Sequence, residues 1–413
     1  MTLTPERSSA RWPGLDTVPA GPRTAVSARV ARRLFLSAVR RLDVSVHLGG
    51  EVYGRGGPTM VVHRPEEFFA RIGRDQLIGF GEAYLTGAWD AEDLGAFLGV
   101  LAAEITDLVP QSLQKFRALV TKRPPSAQKS SKKNSKNNIA HHYDLSNDLF
   151  QLFLDPTLTY SAAYFEGDPA LARRADLEVA QHRKIDRMLD EAGVGEGTRL
   201  LEIGSGWGAL AIRAARRGAT VRTITLSEEQ KALADQRIAE AGLSEAISVE
   251  ICDYRDLQGT YDAIVSVEMI EAVGWQYWQE YFEVLDRVLA PGGRICIQAI
   301  TMPHDRMLAT RNTYTWIHKY IFPGGFLPSL EALDDVTRRH TTLRMGTQHS
   351  LGLHYVPTLK FWDEAFLEHR EEVLELGFDE TFIRMWHFYL EYSRAGFASG
   401  YLGDYQLTFT RED

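Results

Sequence analysis

The chain has 413 residues, of which 44% are hydrophobic and 24% charged, with a formal net charge of −9 and two cysteines, Cys252 and Cys296. This length predicts two or three domains, the composition is that of an ordinary globular protein, and two cysteines exclude a disulfide scaffold and fit a reducing compartment. The longest apolar run, residues 94–103, is about half of the roughly twenty residues that a membrane span needs, and the N-terminal stretch lacks the apolar region of a signal peptide.

The net charge hides an asymmetry. Residues 1–137 hold 20 Lys/Arg and 13 Asp/Glu, whereas residues 138–413 hold 26 and 42. A basic front on an acidic body predicts an anionic partner for the front, a phospholipid surface or a nucleic acid.

Residues 1–24 are polar and Pro/Gly-rich and predict a flexible tail. Over 25–42, Val26, Val30, Leu34, Phe35, Ala38 and Leu42 recur at helical spacing among five arginines, the pattern of a basic amphipathic helix that packs on its own domain or lies in a membrane interface. Alternation over 44–63, broken by glycine turns, predicts a small sheet. A helix with Phe68, Phe69, Ile72 and Leu77 follows, then a helix over 91–108, so that 25–121 read as one compact domain. Residues 122–137 hold six basic residues and no acidic or large apolar one, the composition of a linker.

The segment 138–165 is dense in His, Tyr, Asp and Asn, including His142, Asp148, Tyr160 and Ser161, and predicts either a satisfied polar network or a site. A helix over 176–192 leads into Leu200, Leu201 and Ile203, a short buried strand. Gly204-Ser-Gly-Trp-Gly208 then turns into a helix, a strand, glycine loop and helix of the kind that binds nucleoside ligands at strand ends. Strands are predicted at 220–225, 248–251, 261–267 and 294–299, with helices between them, which implies a parallel, doubly wound sheet. Strand two ends in Thr225-Leu-Ser-Glu-Glu-Gln230, with Ser227 predicted to cap the next helix and Gln230 to complete a capping box. Strand three ends in Asp253-Tyr-Arg255, where Asp253 can accept from an exocyclic amine and Tyr254 or Arg255 can flank a ring. Strand four ends in 267–274, where a carboxylate, Glu271 especially, faces the ligand crevice. Beyond residue 300 two aromatic-laden helices are expected, at about 358–376 and 379–397, and an edge strand at 405–410.

Glu202-Ile-Gly-Ser-Gly-Trp-Gly208, Thr225–Gln230, His142–Asn147, Thr159-Tyr-Ser161, Tyr320-Ile-Phe-Pro-Gly-Gly325 and Ala395-Gly-Phe397 together resemble the cyclopropane-fatty-acyl-phospholipid synthase family, which includes the mycolic-acid methyltransferases. The resemblance implies an α/β fold: a seven-stranded Rossmann-like S-adenosylmethionine methyltransferase over 138–413, with a smaller α+β N-terminal domain that docks lipid and holds a homodimer. It implies S-adenosyl-L-methionine surrounded by Tyr160, Ser161, Glu202, Gly204, Ser205, Gly206, Trp207, Gly208, Thr225, Leu226, Ser227, Gln230, Asp253, Tyr254 and Arg255. The implied partners are an unsaturated phospholipid and an anionic membrane surface on the cytoplasmic side, with no nucleic acid and no metal.

An alkene is a poor nucleophile, so placing the sulfonium methyl in line with it supplies much of the rate. Transfer leaves a carbocation, which a dry aromatic pocket stabilises and a base must deprotonate. In cyclopropane-forming relatives that base is a bicarbonate held by a cysteine, a glutamate, a histidine and a tyrosine. The corresponding positions are Ala162, Glu271, Gln298 and Tyr355, with the backbone of Ile300 nearby, so the cysteine and the histidine are replaced; Ser393 stands where many relatives carry another cysteine. The expected product is a cyclopropane acyl chain. The alternative is a methylene-branched chain, with Glu271 or Asp148 as base and a partner reductase; a further alternative is a non-catalytic lipid-binding protein.

Overall fold

The structure is a computed structural model that describes residues 12–104, 125 and 146–412. His142 and, Pro125 apart, the basic linker 122–137 lie outside the described residues. The chain divides into two compact units, one holding the described residues up to 104 with 314–320 and 366–399, the other 146–313, 321–365 and 400–412.

In the first unit the basic amphipathic segment forms the helix Pro22–Val39, opened by proline at its first position. Strands β1 (Ser45–Leu48), β2 (Glu51–Tyr53), β3 (Thr59–Val62) and β4 (Trp89–Ala91) form a sheet in the order β2-β1-β3-β4. The helix carrying Phe68 and Phe69 breaks at Gln76, whose φ of 54° ends Pro65–Asp75 and starts Leu77–Leu85. The last long helix, Glu380–Ala398, belongs to this unit and is capped by Asp379 accepting from the Phe382 N–H at 2.9 Å.

The second unit is built on a seven-stranded sheet, β10-β11-β9-β8-β5-β6-β7. Its members are β5 (Arg199–Ile203), β6 (Thr220–Thr225), β7 (Ile247–Ile251), β8 (Tyr261–Val267), β9 (Leu289–Thr301), β10 (Leu343–Ser350) and β11 (Gly403–Arg411). The five strands read from sequence are parallel, and β10 and β11 add antiparallel pairs. Two apolar clusters cover the sheet, one around Leu201, Ile264 and Phe282 and the other around Leu200, Ala211 and Val265. Adjacent strand residues thus point to opposite faces, as a doubly wound sheet requires.

Two expectations change. Residues 405–410 are not an edge strand: β11 lies between β9 and β10, and Leu407 and Phe409 are fully buried. The edge is β10, whose exposed polar residues hide the strand from hydropathy. Ser227 caps its helix by accepting from the Gln230 N–H, but the Gln230 side chain accepts from the Thr225 hydroxyl at 2.9 Å instead of returning to the cap.

The chain reverses direction of winding at β5, which has β6 on one side and β8 on the other. Crevices at such a switch point, outside the carboxyl ends of the strands, are where ligands bind.

Candidate active site

At the carboxyl end of β5 the loop Gly204–Gly208 borders an open cavity. Tyr160, Ser161, Glu202, Gly204, Ser205, Gly206, Trp207, Thr225, Leu226, Gln230 and Tyr254 line it. Gly204 and Gly206 have φ of 97° and 49°, and a Cβ at Gly206 would meet no atom within 4 Å. The backbone is therefore laid open to the cavity, as close approach to a ligand requires. Tyr160 is fixed 5.2 Å from Phe150 and 5.1 Å from Trp362, ring to ring, and Trp207 donates to Asn147 Oδ1 at 2.7 Å.

Four predicted ligand residues act from behind this wall. Gly208, at φ 85°, lets Ala234 approach to 3.4 Å of where a Cβ would stand, so it serves helix packing. Ser227 is the helix cap. Asp253 and Arg255 bind each other at 2.7 Å, with the guanidinium 5.1 Å from the Tyr254 ring, so together they brace that ring.

Glu202 offers the clearest invitation to a ligand. Its Oε2 is buried with no hydrogen-bond partner among the described residues, and burial pushes its carboxyl up to about 8 against the opposing pull of Thr223 and Lys184. A buried orphaned acceptor is costly unless something donates to it. Open glycine backbone, aromatic walls and this acceptor fit the nucleoside and amino-acid parts of S-adenosylmethionine.

The same cavity is lined by Glu268, the centre of a second constellation, which sequence reading passed over for Glu271. Val267 closes β8 opposite Gln298 on β9, and β11 pairs with β9 so that Gln406 faces Gln298 and Asp404 faces Ile300. That register gathers the polar groups around one carboxylate. Glu268 Oε1 accepts from the Ala162 N–H at 2.9 Å and from Gln298 Nε2 at 2.9 Å; its Oε2 accepts from the Tyr355 hydroxyl at 2.7 Å. Gln298 Nε2 also donates to Asp404 Oδ2 at 2.9 Å, and Gln406 Nε2 donates to Gln298 Oε1 at 3.2 Å. Glu268 has φ of 48°, a left-handed conformation uncommon for a side chain of this size. Such strain persists where the surroundings over-determine it, and it clusters at functional sites.

Burial raises the proton affinity of Glu268, while the three donors and the Lys184 ammonium oppose it. Asp404 is raised well above the carboxylate range by burial and by the nearby Glu268 and Glu271. Glu271 accepts from the Ile300 N–H at 2.6 Å, its Oε2 has no partner among the described residues, and burial with the Glu268 charge lifts it to about 8.

The donors at Ala162, Gln298 and Tyr355, where the resemblance implies a bicarbonate, are thus all spent on the Glu268 carboxylate. The residues present do not fit a bound bicarbonate. Asp148 is exposed in the first turn of Asn147–Phe153, Ser393 is half-buried on Glu380–Ala398 in the other compact unit, and His142 lies outside the described residues. Glu268, Asp404, Gln406 and Lys184 went unread because their partners are distant in sequence. The available signal was the second carboxylate of Val267-Glu-Met-Ile-Glu271, at the strand tip itself.

A family model described as mycolic acid cyclopropane synthetase matches residues 130–407. The chain belongs to that family. It is 51% identical over 410 residues to a tuberculostearic acid methyltransferase of Mycobacterium tuberculosis, covering 98% of this chain and 96% of the relative. It is 34% identical over 347 residues to the cyclopropane-fatty-acyl-phospholipid synthase of Escherichia coli, covering 84% and 86%. The crystal structure of a mycolic acid cyclopropane synthase complexed with SAH and CTAB superposes with a TM-score of 0.60 at 31% identity, covering 66% of this chain and 97% of that one. The protein is an S-adenosylmethionine-dependent methyltransferase of a family that acts on the acyl chains of lipids. Among the described residues no helix is long and apolar enough to cross a membrane.

Proposed function

We propose that the protein methylates the cis double bond of an unsaturated phospholipid acyl chain and releases a methylene-branched chain, with Glu268 as the base. The observation that carries this reading is the Glu268 carboxylate seated on Ala162 N–H, Gln298 Nε2 and Tyr355 OH. The name of the 51% identical relative, a tuberculostearic acid methyltransferase, points the same way.

When bound, S-adenosylmethionine supplies the methyl group from its sulfonium. The cavity loop and the Tyr160, Trp207 and Tyr254 rings hold the donor in place and keep water away. Attack by the alkene carbon forms the new C–CH3 bond and leaves a cation on the neighbouring carbon. A hydride shift moves the cation to the methylated carbon. Glu268 then takes a proton from the new methyl, and the C–H electron pair forms the exocyclic double bond. Three donors orient the carboxylate and keep it from rotating away. Loss of the same proton before the hydride shift would close a cyclopropane ring.

The helix Pro22–Val39 supports docking on an anionic lipid surface from the cytoplasmic side. Val26, Val30 and Leu34 are exposed at 60%, 53% and 46% along one line of it, flanked by exposed Arg23, Arg29 and Arg33, with no acidic residue in the helix. Apolar side chains that enter the interface beside arginines that meet the headgroups are the features of an interfacial helix. Replacing Arg29 and Arg33 by glutamate is expected to weaken binding to anionic vesicles by at least about fivefold for each charge removed, and salt is expected to erase the difference. A homodimer and a partner reductase that saturates the methylene belong to the same proposal.

The test of the reaction is expression in a host lacking such an enzyme, with mass spectrometry and proton NMR of its fatty acids. A gain of one carbon with vinylidene proton signals supports the reading. A gain of one carbon with cyclopropane proton signals replaces it by ring formation, and no gain removes lipid methylation altogether.

A further inference from the structure

At the donor cavity two buried carboxyl groups, Glu202 and Asp404, and the buried amine of Lys184 meet two half-buried carboxyl groups, Glu268 and Glu271. Glu202, Glu268 and Asp404 are the carboxyls whose charges reach Lys184 from within this cluster, with Asp155 beyond it, and Glu271 adjoins Glu268. Lys184, on the helix Leu177–Glu191, is fully buried, and its Nζ donates to Ser161 Oγ at 2.6 Å. Its backbone oxygen accepts from Gln406 Nε2, which also donates to Gln298 on the way to Glu268. Lys184, Ser161, Glu202 and Glu268 all line the donor cavity, so the ammonium shares that cavity with the Glu268 carboxylate, and the Lys184 backbone is tied to the residues that hold Glu268.

Buried ions are tolerated when balanced by an opposite charge and satisfied by hydrogen bonds. One ammonium balances one carboxylate. Glu268 receives three donors, whereas Asp404 and Glu271 share or receive one each, from Gln298 and from the Ile300 N–H. Hydrogen bonds to the charged form decide which acid ionises. Of the acids in the cluster, Glu268 is the one whose ionised form is best supported.

We propose that Lys184 is a positioning residue for methyl transfer: its ammonium, anchored on Ser161, is the countercharge that holds Glu268 ionised and ready to accept the proton. The inference rests on Glu268 being the base. Tyr355, Glu271, Asp404, Glu202 and Asp155 are the other titratable groups of this network: Tyr355 donates to Glu268, Asp404, Glu202 and Asp155 compete with it for the Lys184 charge, and Glu271 and Glu268 disfavour each other's ionisation.

The sign follows directly. A carboxylate base works above its own pKa, so activity falls as the pH drops through it, and loss of a nearby cation moves that acid limb to higher pH. Single-turnover rates on oleoyl phospholipid vesicles with labelled S-adenosylmethionine, measured across pH, read the limb independently of how much protein is folded. Lys184→Met is expected to move it upward by about one pH unit or more, lowering the rate at neutral pH about tenfold with recovery at alkaline pH. Lys184→Arg, which keeps the charge, is expected to leave the midpoint near that of the parent even where the rate falls. If Lys184→Met fails to fold, Lys184→Gln removes the charge and retains a hydrogen bond to Ser161. An acid limb that stays put when the charge is removed overturns the proposal. Glu268→Gln separates the two readings: full turnover in that variant removes Glu268 as base, whereas an inactive Glu268→Gln beside an unmoved limb in Lys184→Met removes only the role of Lys184.

Discussion

The two sides of the catalytic cavity are built by different means. The donor side comes from short contiguous motifs, the Gly204–Gly208 loop and Thr225–Gln230, each carrying its own turn and cap. The side proposed to remove the proton comes from Ala162, Glu268, Gln298, Tyr355 and Asp404, residues as much as 106 positions apart in a single hydrogen bond. Local backbone geometry makes the first, and strand register makes the second. On the proposed reading the donor is held by the part that folds locally, and the product is decided by the part that depends on how β8, β9 and β11 align.

That contrast is open to attack, most severely at Glu268. Glu268→Gln keeps the volume and two hydrogen-bond positions but cannot take a proton, so product formation is expected to fall by about 10²–10⁴-fold. Calorimetric titration with S-adenosylmethionine should show donor binding retained; loss of both together would mean that the two sides are not separable.

The converse variant is Gly204→Ala. At φ 97° a side chain is strained, and the new Cβ would stand 2.8 Å from Met269 Cγ. Strain of this kind costs about 1–3 kcal/mol. Weaker donor binding by roughly tenfold, with a lowered Tm, is expected by the same titration and by thermal melting, while the acid limb of the pH profile stays where it was.

The smallest effect is expected at Glu271. Its carboxyl holds a proton below about pH 8 because burial and the Glu268 charge disfavour ionisation, so Glu271→Gln replaces one neutral acceptor of the Ile300 N–H by another. Rates at neutral pH should change by only a fewfold. A loss as large as that of Glu268→Gln would move the base from Glu268 to Glu271 and restore the expectation drawn from sequence.

Much of the site was legible before any coordinates. Gly204, Ser205, Gly206 and Trp207 of the glycine loop, Thr225, Leu226 and Gln230 at the tip of strand two, and Tyr254 line the cavity, since each lies on a motif that dictates its own conformation. Asp253 and Arg255 are read as ligand groups from sequence, and nothing in a linear sequence shows that the two side chains also bind each other at 2.7 Å beside Tyr254. Tyr355 and Gln298 were marked by resemblance, but the carboxylate they hold was not. The strand at 343–350 and the inner position of β11 were missed for a related reason: hydropathy reports burial on one face and is silent about which neighbour a strand takes.

The amino-acid sequence alone determined the parallel α/β architecture, the donor loop and the family, because alternation of strand and helix and the glycine turns are properties of adjacent residues. The tertiary structure decided which of two acids lines the cavity. Glu268 and Glu271 are three residues apart and chemically alike. Only the register of β9 against β8 and β11, which turns Gln298 toward the carboxylate at the tip of β8, together with the packing of Tyr355 and Ala162, distinguishes the two.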